Sequence, residues 1–288
     1  LDRMARGSAD AESMVEVLGL PLSRKAMRER LKNTCDRVVT HYGWMLVRGL
    51  DRVFAHQSLV GNAPFLETRH FAFADDFTAN WEEIRDELLE ILRHREVIPA
   101  FHEISPEQGK ISVGTSWRTF LLFGFGTRLE HNCEHAPVTA ALLEEVPQLQ
   151  TAWFSILAPH YHIPSHTGVS KGFVRVHLGL VVPREADRCR LRVGDVVRVW
   201  RPGELFVFDD TYDHEVWNDT PDERVVLVFD VDRPMRGLGR LTNAAFLRLV
   251  KRSSFYREPE RRMAAFEERF DAAVRAAAGD KSDSDSGP

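Results

Sequence analysis

The sequence predicts a mainly β fold flanked by helices, because the spacing of its apolar residues changes along the chain. After Pro147 apolar residues recur at a period of two, in short runs typical of strands. Turn signals separate the runs: Gly194-Asp195 predicts a tight hairpin, and Arg201-Pro202-Gly203-Glu204 predicts a type II turn. Many short strands joined by such turns indicate a sandwich or barrel, and the jelly roll, or double-stranded β-helix, is the type with a deep, ligand-sized mouth. The predicted strands are residues 151–158, 173–182, 189–193, 196–200, 205–208, 215–218 and 224–231.

Helical periodicity occurs on both sides of the predicted strands. One helix is expected within residues 10–41, with Ser23 as a cap, and a second over residues 81–92, with Thr78 as its N-cap. An amphipathic segment over residues 263–274 predicts a further helix near the end of the chain. The predicted organisation is an N-terminal helical region packing on the core (1–75), a jelly-roll domain (76–240), a C-terminal helical segment (241–278) and a disordered Ser/Asp/Gly-rich tail (279–288).

Length and cysteine content indicate a core that needs no covalent staple. A chain of 288 residues can bury enough apolar surface on its own. Cys35, Cys133 and Cys189 are odd in number and form no CxxC pair, which favours a reducing compartment, and we expect a cytoplasmic protein. His131, Cys133 and His135 lack an evident fourth zinc ligand, so a surface loop is favoured there over a structural zinc site.

Charge and hydropathy limit the classes of partner. With 38 basic and 43 acidic residues the net charge is −5, which gives no global electrostatic reason to expect nucleic-acid binding. No apolar run approaches the roughly 18–20 residues that a transmembrane helix requires, so a soluble chain without such a segment is expected. The expected partner is a small molecule or a protein.

One predicted strand carries an unusual polar face. Alternation over residues 173–182 places Arg175, His177 and Gly179 on one side and aliphatic residues on the other. The common explanation is a solvent-exposed outer face. An Arg and a His two residues apart, shortly after His166, favour instead a polar cavity lined by one face of a sheet.

Two further histidines are candidate metal ligands. His166 follows Pro164-Ser165 in a predicted loop, and His214 follows Asp213 near the start of a later strand. Two imidazoles from different strand ends suit a borderline transition metal with open coordination positions. A distant pair of histidines is also compatible with an ordinary structural role, and the residues alone leave both interpretations open.

Several spaced segments occur together between Trp117 and Met235: Ser155…His166-Thr167-Gly168…Arg175-Val176-His177-Leu178-Gly179-Leu180…Phe208-Asp209-Asp210…His214-Glu215-Val216-Trp217…Arg224. This combination resembles the signature of the aspartyl/asparaginyl β-hydroxylases, a family of Fe(II)- and 2-oxoglutarate-dependent dioxygenases. Most 2-oxoglutarate oxygenases hold iron with two histidines and a carboxylate, and Gly168 stands where that carboxylate would be. The resemblance implies that His166 and His214 hold Fe(II) together with water.

The same resemblance implies a binding site for 2-oxoglutarate. Arg224 matches the position that binds the distal carboxylate, and Ser155 matches its hydroxyl companion. Arg175 and His177 match the positions that hold the other end of 2-oxoglutarate near the iron. Trp117 matches the family tryptophan at the cofactor pocket, although a tryptophan before an apolar run is often simply part of the core.

The implied activity is hydroxylation of an Asp/Asn-like residue of a peptide or protein, or of a related amino acid, using O2 and releasing succinate and CO2. Phe173 departs from the pattern, since the vertebrate peptide hydroxylases carry an arginine there, and this makes a peptidyl aspartate a doubtful substrate. A lipid or secondary-metabolite hydroxylase and a non-catalytic jelly-roll binding module are the alternatives. The lipid A hydroxylase branch typically has Asp at the position of Gly168, which disfavours that branch.

Overall fold

The computed structural model describes residues 47–105, 109–124, 126–250, 262–263 and 265–277. Backbone contacts divide the chain into two compact units, Leu1–Gly49 and Leu50–Pro288, and all of the described strands belong to the second unit. The helix predicted within residues 10–41 and the tail predicted over 279–288 lie outside the described residues.

Eleven strands form two antiparallel sheets in the described part of the chain. The seven-stranded sheet has the order β1-β9-β6-β11-β4-β2-β3, and the four-stranded sheet has the order β5-β10-β7-β8. The strands are β1 (Phe65–Leu66), β2 (Trp117–Gly124), β3 (Thr127–Arg128), β4 (Leu149–Leu157), β5 (Tyr161–His166), β6 (Phe173–Val181), β7 (Cys189–Val193), β8 (Val196–Val199), β9 (Leu205–Phe208), β10 (His214–Asn218) and β11 (Arg224–Asp232). The fold is therefore mainly β, with a double-stranded β-helix core, as the sequence predicts.

Each predicted strand is present to within two residues, but the sequence pattern does not reveal every strand. β2 is buried along nearly its whole length, so it shows no alternation between polar and apolar residues. β5 is largely exposed and contains Pro164, and the sequence predicts a loop there. β1 lies within the range predicted as an N-terminal helical region, where it pairs with β9 and extends the large sheet.

Helices flank the sheets, and several of them pack on one face of the large sheet. They are α1 (residues 47–57), α2 (Ala74–Ala79), α3 (Trp81–Ile91), α4 (Phe101–Ile104), α5 (Glu130–Glu134), α6 (Pro137–Glu144), α7 (Gly237–Val250) and α8 (residues 265–277). Thr78 does not cap α3, contrary to the prediction, because it lies inside α2 and its hydroxyl donates to the Ala74 carbonyl. Cys133 lies in α5 and is buried, so the segment predicted as a surface loop is helical.

The large sheet separates two apolar layers. Its outer layer joins side chains such as Val176 of β6 to the helices, and Phe77 of α2 stacks on Phe229 of β11 with ring centroids 4.8 Å apart. Its inner layer, which includes Val228, faces the small sheet. Alternation along β6 therefore sends Arg175 and His177 into the space between the sheets, as predicted.

Both predicted turns are present. Gly194 (φ +56°) lies at the β7–β8 hairpin, and Gly203 (φ +74°) has the positive φ that a type II turn requires at its third residue. Among the described residues, no helix has both the length and the apolar character needed to cross a membrane.

Candidate active site

Two histidines face each other at one end of the small sheet. His166 ends β5 and His214 begins β10, and the antiparallel register makes them direct partners. Their ring centroids are 4.1 Å apart. The pair that the sequence predicts as metal ligands is therefore brought together by strand pairing.

Backbone carbonyls fix the orientation of both rings. Nδ1 of His166 lies 2.7 Å from the Pro164 carbonyl oxygen, and Nδ1 of His214 lies 3.0 Å from that of Tyr212. Burial and the neighbouring imidazole lower the pKa of His214 to about 3, and burial also lowers the pKa of His166. Both rings are therefore neutral near pH 7, and a proton on each Nδ1 leaves each Nε2 lone pair available to a metal ion.

A cavity lies between the sheets and is lined by every residue predicted for the site. These are Trp117, Ser155, His166, Arg175, His177, His214 and Arg224, and the remaining lining is apolar: Trp153, Ile163, Leu191, Phe208, Val216 and Val228. Of the lining residues only His166 and Arg175 are partly exposed. The cavity therefore opens at the end of the barrel where the histidine pair lies, and we call this opening the mouth.

A buried arginine lies at the closed end of the cavity. Arg224, the first residue of β11, is 1% exposed, and its Nε and Nη1 have no hydrogen-bond partner among the described residues. Its guanidinium lies over the Trp200 ring, 4.6 Å from the centroid, and burial lowers its pKa to about 10. Beside it, Trp117 Nε1 donates to Ser155 Oγ at 3.1 Å. Buried donors without partners are costly, so this end of the cavity is suited to an anion.

Arg175 differs from Arg224 because it already has a carboxylate partner. Its Nε and Nη2 donate to the two Asp230 oxygens at 2.8 and 2.9 Å, and Asp210 lies 3.5 Å away. Burial opposes its charge, but these carboxylates raise the pKa of Arg175 above its ordinary value. His177 is buried beside it, and its Nδ1 has no hydrogen-bond partner in the described part of the chain. Burial together with the nearby arginines holds the pKa of His177 well below the usual range. The predicted contact of Arg175 with the cosubstrate stays a prediction.

Asp210 lies beside the site, next to Arg175 and Gly168, and the sequence pattern predicts no role for it. A Cβ built on Gly168 would overlap the Asp210 carboxyl group, and Gly168 N donates to the Asp210 carbonyl at 2.6 Å. Burial raises the pKa of Asp210 to about 6, with Arg175 opposing the shift. Residue 168 therefore lacks a side chain, but the carboxylate of Asp210 occupies the space where that side chain would begin.

A buried ion-pair cluster ties the loop after His166 to the loop before His214. Asp209 accepts hydrogen bonds from Arg233 Nη2 at 2.5 Å and from Lys171 Nζ at 2.6 Å. Arg233 Nε also donates to the Lys171 carbonyl at 2.7 Å. Because Arg233 and the Asp209 side chain are fully buried, these contacts hold the two loops in a fixed relation.

The fold and this cavity define a double-stranded β-helix protein with a two-histidine site at its mouth. The profile of the aspartyl/asparaginyl β-hydroxylase family matches residues 78–234. An ornithine lipid ester-linked acyl 2-hydroxylase from Rhizobium tropici is 35% identical over 83% of this chain and 85% of its own length. The chain belongs to the aspartyl/asparaginyl β-hydroxylase family.

Similarity to other members is less extensive. The human aspartyl/asparaginyl beta-hydroxylase is 32% identical over 58% of this chain, and the match spans only 22% of the human protein. Aspartate beta-hydroxylase domain-containing protein 2 of Xenopus tropicalis is 27% identical over 72% of this chain and 62% of its own length. These relatives support hydroxylase chemistry for the chain.

Gly168→Ala tests the close approach of Asp210. The new methyl group would overlap a carboxylate that Arg175 restrains, so the free energy of unfolding is expected to fall by about 1–3 kcal/mol in chemical denaturation. Gly237→Ala is the matched control, because no heavy atom lies within 4 Å of its added Cβ, and we expect a change within about 0.5 kcal/mol. Equal effects of the two substitutions would contradict the described packing.

Proposed function

We propose that this chain is an Fe(II)- and 2-oxoglutarate-dependent hydroxylase that acts on the ester-linked acyl chain of an ornithine-type lipid. The observation that carries the oxygenase part is the buried guanidinium of Arg224, whose Nε and Nη1 have no hydrogen-bond partner among the described residues, at the closed end of a cavity whose mouth holds the histidine pair. A dicarboxylate with a keto group at one end would interact with Arg224 at the closed end of the cavity and with a metal ion on the histidine pair at the mouth.

The residues present fit the implied metal and cosubstrate. His166 and His214 would hold Fe(II) through Nε2, and Arg224 with the Ser155 hydroxyl would bind the distal carboxylate of 2-oxoglutarate. With O2, this iron–cosubstrate pair would supply hydroxylation of a C–H bond, with release of succinate and CO2. The chain itself would orient the rings, bind the carboxylate and line the cavity with apolar residues that limit access of water.

Sequence similarity and the aromatic residue at position 173 support a lipid substrate. The Rhizobium tropici hydroxylase, whose name specifies carbon 2 of an ester-linked acyl chain, matches most of both chains. Phe173 begins β6 on the same face as Arg175 and is partly exposed, so an aromatic ring lies near the mouth where the peptide hydroxylases resembled here carry a cation. An apolar residue there suits an acyl chain better than an acidic side chain.

A second candidate is hydroxylation of an Asp or Asn side chain in a peptide. The family description and the human relative favour it. It requires the same metal and cosubstrate, so substrate tests separate the two candidates. The test compares an ornithine lipid with Asp- and Asn-containing peptides and detects the gain of one oxygen atom by mass spectrometry.

His214→Ala is expected to reduce succinate formation to background, because one of the two proposed metal ligands would be lost. His162→Ala is the matched control: His162 lies on β5 like His166, but it stacks on Trp217 and contacts Glu215 at 3.1 Å, away from the cavity lining. Succinate formation by His162→Ala should stay near that of the wild type. Binding of 2-oxoglutarate without succinate formation on any substrate would instead support the non-catalytic binding module.

Arg224→Met separates stability from cosubstrate binding. Removing a buried cation with unpartnered donors should stabilise the apo-protein by on the order of 1 kcal/mol in thermal unfolding. It should also weaken 2-oxoglutarate binding about 30-fold or more in calorimetric titration, since a buried charge contact is lost.

Arg190→Met is the control for Arg224→Met. Arg190 also lies over a tryptophan, Trp217, but it is partly exposed and has a carboxylate partner in Asp219. Neither stability nor affinity for 2-oxoglutarate should change appreciably. Unchanged 2-oxoglutarate affinity in Arg224→Met would refute the role proposed for Arg224.

A further inference from the structure

One face of α7 exposes large apolar side chains. Leu238, Leu241 and Leu249 are 62%, 68% and 65% exposed, and Ala245 between them is exposed as well. At 3.6 residues per turn these positions fall within a single stripe. Isolated exposed leucines are ordinary, but a stripe along one helix indicates a binding surface.

In the segment that contains the stripe, every charged residue is basic. No Asp or Glu occurs from residue 233 to residue 250, whereas the chain as a whole has a net charge of −5. Arg236, Arg240 and Arg248 are exposed, and no described carboxylate lies within ion-pair distance of them. The leucine stripe is thus accompanied by unneutralised positive charge.

Hydrogen bonds place this helix beside the mouth of the cavity. Asn243 on the packed face of α7 donates from Nδ2 to the Gly172 carbonyl at 3.0 Å. Gly172 ends the loop that starts at His166, and on the same loop Val169 is 49% exposed. Leu59 is also exposed, and its N–H donates to the carbonyl of Pro234 at 2.9 Å. Pro234 lies in the connection between β11 and α7. Exposed apolar residues therefore occur both on α7 and on the loops next to it.

We propose that this face docks on the surface of an anionic lipid bilayer. The leucines would enter the headgroup–acyl boundary and the arginines would lie near lipid phosphates, as in helices that lie in the plane of a membrane. The docking proposal rests on the proposed function, and it names the surface on which that function would take place. Docking here would bring the mouth of the cavity to the acyl chains of the lipid.

Charge favours a lipid surface over a second copy of the chain. In a two-fold dimer through α7 the same patch would face itself, which would bring Arg240 and Arg248 of one copy near those of the other. Such like-charge contacts are unfavourable unless acidic groups intervene, and the segment has none. An anionic bilayer supplies the opposite charge and the apolar layer together.

Cosedimentation with vesicles tests docking independently of the oxygenase chemistry. The wild-type protein, in EDTA and without 2-oxoglutarate, is mixed with vesicles of phosphatidylcholine alone or of phosphatidylcholine with phosphatidylglycerol. We expect about tenfold tighter binding to the anionic vesicles, and high salt should remove most of that difference.

Paired variants identify the surface. Leu238→Ser with Leu241→Ser should weaken binding to anionic vesicles about tenfold or more, and Arg240→Gln with Arg248→Gln about tenfold. Leu89→Ser is the control, since Leu89 is an exposed leucine on α3, outside this segment. It should bind like the wild type.

Several results would overturn the docking proposal. One is a wild-type protein that binds neither type of vesicle, and another is equal binding by all the variants. A third is a self-associating wild type that does not bind vesicles and that Leu238→Ser with Leu241→Ser converts to monomers in sedimentation velocity, because the face would then be an interface between copies. Vesicle binding without turnover of lipid would support the docking surface while contradicting the proposed function.

Discussion

Burial of a cation without a carboxylate partner is the main constraint on the interior of this barrel. Arg224 lies between the two sheets with Nε and Nη1 unpartnered among the described residues, and the aromatic face of Trp200 and a hydrogen bond with the Cys189 side chain give it only partial compensation. The other arginine that lines the cavity, Arg175, is neutralised by Asp230 and Asp210. We therefore propose that Arg224 binds a ligand, and its depth in the cavity would then fix where the anionic end of that ligand lies.

The histidine pair lies at the opposite end of the cavity, and the sheet topology sets its position. Adjacent antiparallel strands make His166 and His214 direct partners, and the Asp209–Arg233–Lys171 cluster holds the loops beside them. Gly168 allows Asp210 to approach the loop after His166, so a carboxylate contributed by a different loop lies close to the segment proposed to bind the metal. The proposed anion site, the proposed metal site and the mouth thus follow from one arrangement of strands.

Much of this can be predicted from the sequence, and the exceptions have physical reasons. β6 is predictable because its two faces differ in polarity, whereas β2 is not, because both of its faces are buried. The Arg175–Asp230 ion pair depends on the register of β6 against β11, which no local pattern reveals. The proximity of Asp210 to Gly168 is a contact between distant loops and is equally invisible in the linear sequence.

Anaerobic absorption spectroscopy of the wild-type protein tests whether metal and cosubstrate bind together in this cavity. The protein is loaded with Fe(II) and titrated with 2-oxoglutarate, and then, in a separate sample, with succinate, which lacks the keto group. We expect a visible charge-transfer band that saturates at one 2-oxoglutarate per chain and is absent with succinate. Failure of the protein to retain Fe(II), or a spectrum that 2-oxoglutarate leaves unchanged, would contradict the proposed chemistry.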